Sequence, residues 1–377
     1  MFDLNKIFNF YYEWWKNIDK FILFLILLLF SLGLFFSLVS TSIIASDKLN
    51  TNTYYFFIKH FLFIILGILI LITFSAVNQK KLFQISKYLF LIFFIFLALI
   101  PFIGIEVKGS MRWIDLPIIP RFQPIEILKP FLIVMMSIVF TLNNQKHVYY
   151  KYLFSFLLIL PVILFLISQP DIGQTILIVL TWFSLIFVSG INLLFYFSFF
   201  IISFSLLIYL ILYVPKFEYI KNRLFSFIDP SSGRNYQSER ASEAISNGGF
   251  FGQGIGEGTL NSKVPEAHTD YIISVISEEF GVIIVLAIMA IFLILSYNIL
   301  RKVDNENDDR VKLILIGISS IILFQTFIHI GVNIRLLPTT GMTLPFLSYG
   351  GSSLISSGII AGVILNYTSL GVQKNEQ

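Results

Sequence analysis

The residues best suited to chemistry crowd the stretch "VPEAHTDYIISVISEEFG", Val264 to Gly281. Glu266, His268 and Asp270 come within five residues of one another, and Glu278 and Glu279 follow inside an apolar run. A carboxylate placed this way can take a proton from a weak nucleophile. The segment "KGSMRWIDLPIIPRFQPIEILKP" adds Arg112 beside Trp113, then Glu126 and Lys129, three apart on one helical face and able to pair. "SQPDIGQT" adds Asp171, and Arg335 precedes "PTTGMTLPFLSYGGSS", a Gly- and Pro-broken stretch. Each of these has a plain structural reading: Asp171 and Asp270 as helix caps, Glu126 and Lys129 as an ion pair, Glu278 and Glu279 as hydrogen-bonding anchors.

The elements that must position them are membrane helices. Of 377 residues, 56% are hydrophobic and only 13% charged, more apolar surface than a soluble domain of this size can hide. Runs long enough to span a bilayer fall at 21–44, 54–77, 82–103, 123–142, 152–168, 172–189, 191–214, 270–299, 312–335 and 349–369. The expected fold is therefore an all-α polytopic membrane protein, a single domain over 1–377 built as a bundle of about ten transmembrane helices. Phe21 to Ile44 exceeds a signal-peptide core and should stay as the first span.

Lys and Arg set the orientation. With the N-terminus inside, inner segments hold Lys6, Lys16, Lys20, Lys80, Lys81, Lys87, Lys146, Lys151, Arg301, Lys302, Arg310, Lys312 and Lys374. Short outer segments hold only Lys48, Lys108, Arg112, Arg121 and Arg335, which puts both termini in the cytoplasm. The net charge of +4 reflects that asymmetry and gives no reason to invoke nucleic acid. A long extracytoplasmic loop, 215–269, then separates spans seven and eight. Within it, "YQSERASEAISNGG" reads as a surface helix closed by Gly248-Gly249, and "GFFGQGIGEG" as a flexible turn.

On this topology Arg112, Glu126, Lys129, Asp171, Asp270 and Arg335 all fall at the outer leaflet. Ionisable residues there face the bundle interior or an aqueous cavity. Acids and cations together suit an anionic, amphipathic substrate that must lose a proton. An ion pore would need polar groups through the whole depth. Zero Cys excludes disulfides and thiol nucleophiles, and His60, His147, His268 and His329 lack metal-ligand spacing. His268 reads as orienting a neighbour. The 42 Phe reflect compositional bias.

"PEAHTDYIISVISEEFG", "LLPTTGMTLPFLSYGGSS", "RWIDLPIIPRFQPIE" and "SQPDIGQT", in order from about residue 100 to the C-terminus, resemble the SEDS family (shape, elongation, division and sporulation) of bacterial membrane proteins. "PEAHTD", "LLPTTGMTLP" and "DPSSGRNYQSERASEAISNGGFFGQGIGEGT" are closer to its division branch than to its elongation branch, which more often has Arg where Ala267 stands. The resemblance implies a peptidoglycan glycosyltransferase of the inner membrane, at the division septum. Such enzymes polymerise lipid II, a disaccharide-pentapeptide on undecaprenyl diphosphate, alongside a class B penicillin-binding protein and other division proteins. It also implies that the "HTD" aspartate, here Asp270, is essential. "RW" maps to Arg112 and Trp113, and "QPSE" to Gln123, Pro124, Ile125 and Glu126, with Ile125 in place of Ser.

The chemistry this implies suits the residues. A 4-hydroxyl attacks an anomeric carbon and expels a diphosphate, so Asp270, with Glu126 second, should accept the hydroxyl proton. Arg112, Lys129 or Arg335 should steady the departing charge. Glu266, His268, Thr269, Ser348, Gly350, Gly351 and Ser352 join Trp113 as expected substrate-binding residues. Gln123, Pro124, Asp171, Glu278 and Glu279 are expected structural supports. No metal ligand set is expected, although a divalent cation (Mg or Mn) could share the diphosphate. A lipid II flippase, an elongation-type polymerase and a non-catalytic division scaffold are the alternatives.

Overall fold

A computed structural model describes residues 4–41, 54–107, 109–117, 120–142, 149–214, 217–228, 236–260 and 263–369. Lys48, Lys108, Lys146, His147, Lys374 and the Asp229–Asn235 part of the division-type motif lie outside the described residues. The helices are α1 (Leu4–Asn17), α2 (Lys20–Phe36, continued by a π turn to Thr41), α3 (Tyr55–Ala76), α4 (Gln79–Ile103), α5 (Pro124–Phe140), α6 (Tyr150–Ser168) and α7 (Ile172–Val188). They continue with α8 (Leu193–Tyr213), α9 (Glu218–Ile228), α10 (Tyr236–Gly248), α11 (Ile272–Phe280), α12 (Val282–Val303), α13 (Asp309–Asn333) and α14 (Gly351–Tyr367). A hairpin of β1 (Ile105–Val107) and β2 (Ser110–Trp113), turning at Gly109, is an addition that hydropathy does not announce.

Among the described residues six helices, α2, α3, α4, α6, α12 and α13, are long and apolar enough to cross a membrane. With α5, α7, α8 and α14 they account for the ten expected crossings, and the chain is a multi-pass membrane protein. At 17 residues, α5, α7 and α14 rise only about 25 Å, short of a hydrocarbon core of about 30 Å. All three are interior helices: α5 and α14 are buried on nearly every face, and α7 over most of its length.

Small residues set the closest approaches. Along the α3–α14 contact, a Cβ on Gly358 would stand 2.3 Å from the Gly67 carbonyl oxygen, so the two backbones touch. Asn366, near the end of α14, donates to the carbonyls of Phe74, Ser75 and Val77, which α3 leaves open at its C-terminus. At the opposite end, a Cβ on Gly33 of α2 would strike Leu347, and Phe30 meets Phe346 edge-on.

Span eight departs from expectation. The run 270–299 is not one helix: it breaks at Gly281, whose φ of +83° and contact with the Phe250 carbonyl oxygen, 2.1 Å from where a Cβ would be, suit only glycine. Glu278 and Glu279 therefore precede the crossing helix α12 instead of lying two turns inside it. Asp270 is not the N-cap residue expected, because α11 begins at Ile272 with Tyr271 in the cap position. Helix α10 is held by the protein itself. It rests its Ala241, Ala244 and Gly248 face on α11, with Gly248 against the Ser277 carbonyl. The glycine-rich segment after it is pinned: Gln253 and Gly254 donate backbone N–H groups to the carbonyls of Glu278 (2.8 Å) and Glu279 (3.0 Å).

Candidate active site

Each wall of the site is a polar segment that the apolar bundle holds in place. The β1–β2 hairpin delivers Arg112, whose side chain is 12% exposed. Its Nε donates to Gln169 O (3.3 Å), Nη2 to Pro170 O, and Nη1 lies 3.4 Å from Asp171 Oδ1. Asp171 caps α7 through the Gln174 N–H and accepts from Gln123 Nε2 at 2.7 Å. Burial raises its carboxyl above the ordinary aspartate range, with Arg112 opposing the shift. Asp171 is thus the anchor that aims Arg112.

Pro124 opens α5, where its missing N–H costs no hydrogen bond. One turn on, Lys129 Nζ meets Glu126 Oε2 at 2.8 Å, with side chains 1% and 6% exposed. Gln174 Nε2 donates to Glu126 Oε1, and Lys129 donates to Gln325 Oε1 at 3.0 Å. Gln325 in turn holds the Thr343 carbonyl at 2.8 Å. Buried charges survive only when paired and hydrogen-bonded in this way. Lys129 sits beneath Glu126 and outside the cavity, so it neutralises Glu126 and does not present a cation to a ligand.

The Glu266–Tyr271 turn carries Asp270. The Glu266 carbonyl accepts the N–H groups of Thr269, Asp270 and Tyr271 at 3.0, 3.1 and 3.3 Å, a tight knot for which Glu266 adopts a φ of +55°. Three ties from elsewhere fix the knot. Tyr349 N donates to His268 O (3.0 Å), Ser348 Oγ to Thr269 O (2.8 Å), and Asn333 Nδ2 to Asp270 O (3.1 Å). Asn333 also accepts from the Ser274 N–H and hydroxyl, locking α11 to the end of α13.

Between these walls lies a cavity of about 320 Å³. Of the expected residues, Arg112, Trp113, Gln123, Glu126, Glu266, Thr269, Asp270, Gly350 and Ser352 line it. Gly341, with φ +72°, brings two of them together: a Cβ there would be 3.7 Å from Asp270 Oδ2 and 3.9 Å from Arg112 Nη1. Carboxylate and guanidinium thus face one small volume across a position that has no side chain.

Other expected residues stand apart. Arg335, turned aside by a φ of +58°, lines a separate depression with Glu239 and Glu243. His268 sits between Phe56 and Tyr349, its ring tilted against both at centroid distances of 5.0 and 5.7 Å. Gly351 packs on the Phe63 ring, and Ser348 is spent on Thr269 and the Leu344 N–H. Glu278 ties the long loop down, accepting from Asn247 Nδ2 (2.9 Å) and Leu260 N (2.8 Å).

Sequence reasoning missed Arg223 of α9, which also lines the cavity and donates to Thr339 O at 3.4 Å. Burial, then the like charge of Arg112, lowers its pKa. It missed Tyr271 as well, whose phenol is pushed up by burial and by the charge of Asp270. Nothing in "EYIKNRLFSFI" distinguishes a cavity arginine from a surface one. Among the described residues no three of His, Asp and Glu group closely enough to form a metal cage by themselves. Glu126 and Asp171 are already engaged by Lys129 and Arg112. What the arrangement can do is accept a proton at a carboxylate while cations face an anion beside it.

Comparison with known proteins agrees with this architecture. A family profile described as "Cell cycle protein", of the FtsW/RodA/SpoVE type, matches residues 19–370. A protein of Coxiella burnetii named probable peptidoglycan glycosyltransferase FtsW is 35% identical, covering 92% of this chain and 95% of its own. Its namesake in Caulobacter vibrioides is 30% identical over 93% and 89%. Two solved structures share the fold. One, reported as the structural coordination of polymerization and crosslinking by a peptidoglycan synthase complex, has a TM-score of 0.76 at 24% identity, covering 93% of this chain and 97% of its own. The rod shape determining protein RodA of Thermus thermophilus has a TM-score of 0.68 at 23% identity, covering 93% and 96%. With the matched profile spanning nearly its whole length, this chain belongs to the FtsW/RodA/SpoVE family of cell cycle proteins.

Proposed function

We propose that the protein is a peptidoglycan glycosyltransferase of the division type, joining lipid II units into β-1,4 glycan strands. The observation that carries this is the facing of Asp270 and Arg112 across Gly341 in a cavity at one end of a membrane bundle. The names of the relatives from Coxiella and Caulobacter support the reaction and the division role.

In this reading Asp270 accepts the proton of the acceptor sugar's 4-hydroxyl as that oxygen attacks the anomeric carbon of the donor. The bond from that carbon to the diphosphate breaks in the same displacement, inverting an α-linkage to β. The lipid diphosphate departs with the electron pair. Arg112, with Arg223 on the same cavity, faces the charge that accumulates on it. Glu126, neutralised from below by Lys129, shapes the wall and serves as the second candidate for the base. Trp113, Thr269 and Ser352 offer an apolar face and hydroxyls to the sugars.

The same reading places the bundle in the bacterial inner membrane, with both termini cytoplasmic by the Lys and Arg asymmetry, at the septum. It pairs the chain with a class B penicillin-binding protein, a partnership supported by the synthase-complex likeness. The test is purified protein given labelled lipid II, with and without a cognate transpeptidase. Glycan strands appear in the proposed reading. Transbilayer movement of lipid II without polymer would instead make the protein a flippase.

A further inference from the structure

Helix α1 has no part in the cavity or its walls, yet its sequence is sharply two-faced. At helical spacing Tyr11, Trp14 and Trp15 share one arc, while Asn9, Glu13 and Lys16 occupy the other. The bundle uses one edge of the apolar arc, where Trp14 Nε1 donates to Ser75 Oγ at 3.0 Å. Tyr11, Tyr12 and Trp15 remain 47%, 60% and 50% exposed. A soluble surface would not present such an aromatic row.

Where α1 must sit follows from its neighbour. The membrane span α2 begins at Lys20, capped by Asp19, which also pairs with Lys302 at 2.6 Å. Only Ile18 and Asp19 separate the two helices, a reach of about 7 Å, so α1 cannot leave the level at which the span begins. That level is basic. Lys16 and Lys20 are exposed, and Lys20 Nζ stands 5.8 Å over the Trp15 ring. Trp14 brings α1 against the end of α3, and just beyond that turn Lys80 and Lys81 are exposed as well. Glu13 is the one acid on α1.

We propose that α1 is an interfacial anchor lying in the headgroup layer, its Tyr11–Trp15 face at the acyl boundary and Lys16, Lys20, Lys80 and Lys81 on the phosphates of anionic phospholipids. Aromatic rings that are apolar in body and polar at the tip partition to this depth. A polar-faced helix flanked by lysines binds there through apolar burial together with attraction to negative lipid. The inference does not depend on the reaction proposed above.

The chain contains no Cys, so single nitroxide labels can be placed cleanly on the full-length protein. Labels at Tyr11→Cys and Glu13→Cys are compared by power-saturation electron paramagnetic resonance in vesicles of phosphatidylcholine, with or without phosphatidylglycerol. A Trp15→Cys label serves if Tyr11→Cys perturbs folding. The Tyr11 label should be open to oxygen and shielded from a water-soluble nickel chelate, and the Glu13 label the reverse. Phosphatidylglycerol should increase the shielding, and Lys16→Glu with Lys20→Glu should lower occupancy of the shielded state by about tenfold. Equal nickel access at Tyr11 and Glu13 would overturn the anchor. Shielding indifferent to lipid charge and to the lysine reversals would overturn its anionic partner.

Discussion

Asn333 is the buried side chain on which the placement of Asp270 most depends. Its Oδ1 accepts from the Ser274 hydroxyl (2.7 Å) and N–H (3.2 Å), and its Nδ2 donates to the carbonyls of Asp270 (3.1 Å) and His329 (2.8 Å). Asn333→Leu keeps the branched outline of the side chain and removes all four contacts. The Ser274 N–H retains the Tyr271 carbonyl at 3.1 Å, so the main stability loss is one orphaned buried hydroxyl, about 1–3 kcal/mol. The larger effect should be on rate. Freed from Asn333, the Asp270 backbone can shift by a fraction of an ångström to an ångström, and misplacement on that scale costs on the order of 100-fold. Melting of the purified protein reads the first quantity and glycan-strand formation from labelled lipid II reads the second. Adding Ser274→Ala removes the orphaned hydroxyl and should restore stability without restoring activity. This positioning role of Asn333 fails if Asn333→Leu polymerises at the wild-type rate. It fails equally if the double variant regains activity, because the loss would then have run through folding and not through Asp270.

Three further outcomes follow from the geometry. Lys129→Met leaves Glu126 buried without its counter-charge and should cost about 3–5 kcal/mol in melting, whereas Lys129→Met with Glu126→Gln should recover most of it. Gly341→Ala sets a methyl between Asp270 and Arg112 in a left-handed backbone, which should cost about 1–2 kcal/mol. It should also raise the KM for lipid II on the order of tenfold in the polymerisation assay. At the opposite end, burial raises the Asp19 pKa, but Lys302 and the backbone of α2 outweigh it and hold the carboxyl below its ordinary 3.8. A lowered carboxyl stabilises the fold above its unfolded value and loses that contribution as pH falls through the folded one. The melting difference between wild type and Asp19→Asn should therefore be present at neutral pH and vanish as pH drops below 3.8.

Hydropathy made most of the bundle legible, because crossing a bilayer demands an apolar run of set length whatever the packing. It misread 270–299 since Gly281 breaks the helix without interrupting the hydrophobic character, and only the contact with Phe250 shows why a glycine is needed there. The cavity lining was legible where a residue's place follows from its own segment: "PEAHTD" before an apolar run, "RW" in a polar connection, Pro124 opening the helix that carries Glu126. It was not legible where a backbone turn decides direction. Arg335 looked equivalent to Arg112 but is steered to another depression, and Lys129 looked like a ligand contact but is consumed by Glu126 and Gln325. Arg223 and Asn333 carried no local signal at all. Their importance comes from what α9 and α13 lie against, which is a property of the tertiary fold.

The central claim is that Asp270 takes the proton in the polymerising step. The decisive experiment is strand formation by purified Asp270→Asn, with and without a class B penicillin-binding protein, after melting has shown that the variant is folded. Removing a general base should lower the rate by about 100- to 10,000-fold while stability holds. Polymer made by Asp270→Asn at the wild-type rate would contradict the account.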